Sequence, residues 1–157
     1  MFEFSSITDD LFIGNTPLAS DYDGLRELGI QLLINMRFSR GPYPDTHHTP
    51  IRLLWLRTID SPFVPIPISK LILGARAALE TILLGGKVYV HCAYGRHRGP
   101  AMGSCVLIAQ GYDPEEAMRI VTKGRAVADP HIPYIRSRIL KFAREWEQQL
   151  TLSETQP

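Results

Sequence analysis

The feature that most limits how this chain can fold is the run from Lys87 to Gln110. Lys87–His91 (KVYVH) is short, β-branched and aromatic, which suits a strand inside a sheet. Residues 99–110 (GPAMGSCVLIAQ) are apolar on almost every face, so the helix they form has no side to offer to water and must be buried. Strand, tight loop and buried helix together imply a layered fold in which strands and helices alternate.

The remaining segments fit that scheme. Short strands are expected at Phe2–Phe4 and Leu11–Ile13, then a helix from about Ser20 or Asp21 that stops before Gly29. Gln31–Met36 and Ile51–Arg57 are apolar runs of strand length and read as buried sheet strands. Prolines 62, 65 and 67 prevent Thr58–Pro67 from continuing either element, and a helix follows from about Ser69 to Leu84, ended by Gly85 and Gly86. Asp113 is placed as an N-cap, with Pro114 in the first turn and Glu116 spaced for a capping box, for a helix running to about Lys123. Ile132, Ile135, Ile139, Phe142 and Trp146 recur at three- and four-residue steps and predict a last helix with one apolar stripe. The expected fold class is α/β: a central, mostly parallel sheet of about four or five strands flanked by helices on both faces.

A length of 157 residues with 45% apolar residues suits one domain, assigned to residues 1–150, with a polar tail at 151–157. Seventeen basic residues against sixteen acidic ones leave a net charge of +1, too little for general attraction to nucleic acid or to an anionic membrane. Anion recognition must therefore be local. With no leader-like start and no long apolar run, a cytoplasmic protein, monomeric by default, is the expectation. Two cysteines are too few for a disulfide framework and fit a reducing compartment. Cys105 falls on the buried helix seven residues past Arg98, a rise of ~10 Å, so it reads as core and not as a disulfide partner of Cys92.

The chemistry concentrates in His91-Cys92-Ala93-Tyr94-Gly95-Arg96-His97-Arg98. A loop wound at the start of a helix aims successive N–H groups of Ala93, Tyr94, Gly95, Arg96 and His97 at one point, and the helix dipole adds positive potential there. Such a point suits a dianion. Gly95 permits the winding, and Arg98 offers a planar fork of donors matched to two phosphate oxygens. The same potential favours the thiolate of Cys92, the nucleophilic form, which is then placed for attack on the bound phosphorus. A buried, inert thiol is the bland alternative for Cys92. Neither metal nor cofactor is implied, because no second ligand stands at zinc spacing from His91.

His-Cys, two residues, Gly, two residues, Arg resembles the signature of the protein tyrosine phosphatase superfamily. Leu11-Phe12-Ile13-Gly14 and Leu33-Ile34-Asn35, in that order before the signature, resemble its small dual-specificity branch over roughly residues 7–150. The mid-chain position of Cys92 argues against the low-molecular-weight phosphatases and the arsenate reductases, which carry the spacing near the N-terminus. The resemblance implies a general acid in the loop after the strand that ends at Leu56-Arg57, where Asp60 stands, with Asp45 as the weaker rival. It also implies that His91 bonds nearby backbone and helps to set the loop. Arg96-His97-Arg98 resembles the Lys-His-Arg of a fungal and plant branch acting on inositol pyrophosphates, although Ala93 and Gly99 depart from that branch. Gly99 departs from the superfamily too, since Ser or Thr follows the arginine there and assists the departing sulfur.

The expected activity is hydrolysis of phosphate monoesters, foremost phosphotyrosine and then phosphoserine or phosphothreonine, in proteins or small phosphate esters. Arg96 and His97 motivate an inositol phosphate or phosphoinositide phosphatase as the alternative. Gly99 motivates a phosphate-binding module with impaired turnover.

Overall fold

A computed structural model describes residues 2–155. Five strands form one sheet in the order β1-β2-β5-β3-β4, where β1 is Phe4–Ser6, β2 Leu11–Gly14, β3 Ile30–Arg37, β4 Arg52–Thr58 and β5 Lys87–His91. Only the β1–β2 pair is antiparallel; β2, β5, β3 and β4 run parallel, with Ile13 opposite Val90 and Ile34 opposite Val90 on its other side. The strand that leads into the cysteine is thus the centre of the sheet, buried by a neighbour on each side.

The two faces are covered unequally. One carries α2 (Ile68–Leu83), α3 (Arg98–Ala109), α4 (Pro114–Gly124) and α5 (Pro133–Glu154) over the main core. The other carries the short α1 (Tyr22–Glu27), which packs Tyr22 and Leu25 onto Phe12, Leu33 and Tyr89. In α3 every residue from Gly99 to Ile108 is buried, as its uniformly apolar sequence requires. It approaches the sheet through Gly103, where a Cβ would lie 2.4 Å from Ile13 Cδ1, and α2 approaches α3 through Gly74, where a Cβ would lie 2.6 Å from Met102 Sδ. Both glycines let the buried helix sit closer than any side chain would allow.

Several expectations shift. The first strand begins at Phe4, two residues late, where pairing with Gly14 starts, while Phe2 stacks on Phe4 and meets Tyr89 in a T-shaped contact. β4 is an edge strand and not a buried one: Trp55 is 39% exposed, and Arg57 lies between the Phe38 and Trp55 rings at 4.8 Å from each centroid. Asp113 caps α4 by accepting from Glu115 N at 3.1 Å, but Glu116 turns towards Arg119 at 3.5 Å and closes no capping box. The stripe of α5 buries Ile135, Ile139, Phe142 and Trp146, and the helix continues to Glu154, past the expected start of the tail at residue 151. Residues 156 and 157 of that tail lie outside the described residues.

Candidate active site

Parallel strands β5 and β3 both point their C-terminal ends at one edge of the sheet, the place where open α/β sheets bind ligands. There the chain leaves β5 at His91, winds through residues 92–97 and enters α3 at Arg98. Gly95 makes the turn at φ +65°, and a Cβ on it would meet Arg125 Nε and Nη2 at 2.8 Å and Gly14 O at 2.9 Å. No other residue fits there.

Cys92 is 4% exposed, and its Sγ accepts a hydrogen bond from Gly95 N at 3.2 Å, so the loop has closed around the sulfur. Arg98 returns beneath the loop to the ends of two strands, where Nη1 donates to Thr58 O at 2.6 Å and Met36 O at 3.2 Å. Its Nε is buried and has no partner. A buried charged donor left open at the edge of a loop of N–H groups is suited to an anion. Ala93, Tyr94, Arg96 and His97 complete the loop, with Tyr94 79% exposed at its lip and Arg96 O accepting from Asp129 N at 2.8 Å. Tyr94 and Arg96 also line a cleft of about 800 Å³ that Glu3, Arg125, Val127 and Asp129 share.

His91 is buried, with Nδ1 3.4 Å from Cys92 O. Burial above all, with Arg37 and Arg98 nearby, pushes its imidazole down to about 4 against the pull of that carbonyl. His91 is therefore neutral at pH 7, and its polar contact with the loop is to the Cys92 carbonyl.

Asp60, expected on the Pro-rich loop after β4, lies directly against the cysteine loop. Its Oδ2 is 2.9 Å from His97 Nδ1, and its Oδ1 accepts from the Tyr134 hydroxyl of α5 at 2.7 Å. Burial pushes this carboxyl up, but the bonds from Tyr134 and His97 and the charges of His97 and Arg98 outweigh it and hold it below 3.8. Asp45 is elsewhere. It accepts from Ile51 N, just before β4 begins, from His47 N, and from Arg26 Nη1 at 2.5 Å, so it ties a loop at the opposite end of the parallel strands. Cys105 is wholly buried on α3, which raises its thiol well above 9, and both cysteines are free.

Four residues at the site lie outside the expected set. Arg125, only 2% exposed, donates from Nε to Gly95 O and from Nη2 to Tyr94 O, each at 2.9 Å, and from Nη1 to Ser5 Oγ at 3.1 Å. It grips the carbonyls on the back of the loop and so turns the corresponding N–H groups inwards. Its one sequence hint is a lone charge between the helix-ending Gly124 and the apolar Ala126-Val127-Ala128. Tyr134 is one residue off the apolar stripe of α5, the margin where a side chain can reach around a helix. Thr16 donates to Cys92 O at 3.2 Å and accepts from Arg37 Nη1 at 3.0 Å, and nothing in the sequence singles out either.

No family model matches the chain. Human phosphatidylglycerophosphatase and protein-tyrosine phosphatase 1 is 34% identical over 106 residues, 67% of this chain and 50% of that protein. The chain thus spans about half the length of the curated relatives it matches. A mouse putative dual specificity phosphatase complexed with zinc tungstate superposes with a TM-score of 0.81 at 25% identity, covering 94% of this chain and 90% of that one. PTPMT1 superposes at 0.82 with 23% identity over 95% and 99% of the two chains, and its complex with PI(5)P at 0.77 with 24% identity over 97% and 99%. Among the described residues no helix is long and apolar enough to cross a membrane. With the cysteine-to-arginine loop, the sheet order and these relatives in agreement, the chain belongs to the cysteine-dependent protein tyrosine phosphatase superfamily, in its small dual-specificity branch.

Proposed function

We propose that the chain, with residues 1–150 as its catalytic domain, hydrolyses phosphate monoesters through a cysteinyl-phosphate at Cys92, foremost phosphotyrosine and then phosphoserine or phosphothreonine in proteins. The observation that carries the reading is the cradle itself: a buried sulfur inside a loop already wound by Gly95, next to the unpartnered Nε of Arg98. The loop N–H groups and Arg98 hold three phosphate oxygens, and Sγ attacks phosphorus in line with the ester oxygen. The S–P bond forms as the ester P–O bond breaks, and the leaving oxygen takes a proton from the Asp60 carboxyl. In the second half Asp60 removes a proton from water, whose oxygen displaces the sulfur and frees inorganic phosphate. Neither metal nor cofactor enters these steps, and a reducing cytoplasm is the setting in which the thiol would persist.

Cys92→Ser is expected to abolish hydrolysis of an aryl phosphate while vanadate binding survives at least in part, because the cradle is backbone plus Arg98 whereas the nucleophile is the sulfur. Turnover within tenfold of wild type in that variant would remove the mechanism.

A second reading has two observations in its favour. Arg96 is exposed on the wall of the 800 Å³ cleft beside the loop, and PTPMT1, which shares the fold, has been captured with PI(5)P. Both support an inositol phosphate or phosphoinositide as substrate, with Arg96 reaching a further phosphate. Comparing phosphopeptides with inositol phosphates as substrates of wild type and Arg96→Ala separates the two readings. A selective loss on inositol phosphates favours the second.

A further inference from the structure

Asp60, His97 and Tyr134 come from three separate elements and meet within hydrogen-bond distance of one another: the loop after β4, the cysteine loop and the start of α5. Their hydrogens can be assigned from the geometry. The Tyr134 hydroxyl donates its single proton to Asp60 Oδ1, and an ionised carboxylate only accepts, so the proton between His97 and Asp60 Oδ2 must sit on Nδ1. Tyr134 O, 3.2 Å from Nδ1, can accept only a share of that same proton. Asp60 is thus a carboxylate with both oxygens engaged, and two protons stand against it.

This raises a difficulty for the mechanism. A leaving oxygen needs a proton, and the carboxyl placed to give it is held ionised by its neighbours. The Tyr134 phenol is a poor source, because burial and its bond to Asp60 push it up to about 12. His97 Nδ1, which carries a proton, lies 2.9 Å from Asp60 Oδ2.

Resting on the function proposed above, we infer that His97 and Asp60 act as one proton-holding pair, in which the imidazole charges the carboxyl that protonates the leaving oxygen, and Tyr134 fixes their geometry. The pair requires a doubly protonated imidazole, with one proton on Nδ1 and a second on Nε2, the buried nitrogen that has no partner among the described residues. As the ester P–O bond breaks, the Nδ1 proton passes to Asp60 Oδ2 and a carboxyl proton passes from Asp60 to the leaving oxygen. His97 is left neutral with one proton. When Asp60 later deprotonates the attacking water, that proton returns to the pair, so the cycle closes without an external acid. The charged and titratable groups facing the pair are Arg98 from the start of α3 and Tyr134 from α5, and Asp129 faces Tyr134 from the loop before α5. His97 is a positioning residue for Asp60 as well as its proton source.

The test uses two substrates in the whole chain: an aryl phosphate with a poor leaving group, and an activated one whose leaving group needs no proton. His97→Asn keeps a donor for Asp60 but cannot carry the extra proton. It is expected to lower kcat/KM on the poor leaving group at least tenfold more than on the activated one, and to move the alkaline limb of the pH profile to lower pH. Asp60→Asn should show the same selectivity at about 10²–10⁴-fold, and the double variant should lose no more than Asp60→Asn alone. Equal losses on both substrates would mean that His97 only shapes the loop, and an unshifted pH profile would likewise overturn the pair. Tyr134→Phe removes a bond that holds the Asp60 carboxyl down, so it should lower kcat and move the limb to higher pH, opposite to His97→Asn. A readout without turnover is the nitrogen chemical shifts of the His97 imidazole: both nitrogens are expected to be protonated in wild type and the second proton to be lost at the same pH in Asp60→Ala. A single proton on either nitrogen in wild type overturns the pair. If wild type hydrolyses neither substrate, the function proposed above fails, and the imidazole shifts alone then decide whether the pair exists.

Discussion

At Gly99 the chain has bare backbone where a hydroxyl would face the departing sulfur. A Cβ built there lies 3.6 Å from Cys92 Sγ and 3.4 Å from Ile13 Cγ2, ordinary contact distances, so a small side chain fits without moving the cradle. The hydroxyl is therefore not missing for want of room. On the proposed mechanism its absence forfeits a bond to a charged group worth roughly 1.5–3 kcal/mol, so breakdown of the cysteinyl-phosphate is expected to be about 10- to 150-fold slower unless another donor serves. A burst of alcohol near one equivalent of enzyme is expected in wild type. Gly99→Ser should shrink the burst and raise kcat, while kcat/KM changes little because it reports the steps through the first chemical one. No burst in wild type together with an unchanged kcat in Gly99→Ser would make the hydroxyl irrelevant here. A wild type that releases one equivalent and then stalls, with turnover restored in Gly99→Ser, would favour the module with impaired turnover.

At the scale of elements, the cysteine loop is held from behind by a residue of a different unit. Arg125 stands one position past α4, and its guanidinium spans the Tyr94 and Gly95 carbonyls. Replacing it by Met leaves those two acceptors without partners, a loss of about 2–4 kcal/mol, to be read from the urea midpoint. Arg125→Lys provides one nitrogen where two are needed, and a folded lysine variant should bind vanadate at least tenfold more weakly than wild type. Wild-type affinity in that variant would show that the loop holds its shape unaided. The strand, loop and helix around Cys92 were legible in the sequence because they depend on local grammar: β-branched residues, one glycine and an apolar helix. Arg125, Thr16 and Arg37 were not, since each acts on a partner 21 or more residues away in the chain, and nothing in local pattern encodes which group a distant guanidinium or hydroxyl will meet. The mistaken burial of β4 has a similar origin. Apolar letters record that a strand can be buried, whereas its place at the sheet edge is decided by topology.

For the whole molecule, the buried neutral His91 sets an acid limit on stability. Its imidazole titrates at about 4 when folded and near 6.5 when unfolded, so between those values the unfolded chain holds a proton that the folded one does not. Stability is full above pH 6.5 and falls as the pH drops towards 4, by about 2 kcal/mol between pH 7 and pH 5. The depressed carboxyls of Asp45, Asp60 and Glu115 act lower, in a window beneath their ordinary values of 3.8 to 4.5. Urea unfolding at pH 7 and pH 5 should show the fall in wild type and a smaller one in His91→Gln. An equal fall in both would assign it to other groups.

The placement of Arg125 also bears on how the protein is made. A ribosome releases Cys92 and its entire motif before the arginine that holds them in shape, and at about 5–20 residues per second the 33 positions between them take about 2–7 s. Throughout that interval the nascent chain carries the complete signature on a loop whose Tyr94 and Gly95 carbonyls have no guanidinium to meet. A polypeptide interrupted between those two points would carry the whole motif without the guanidinium that fastens it.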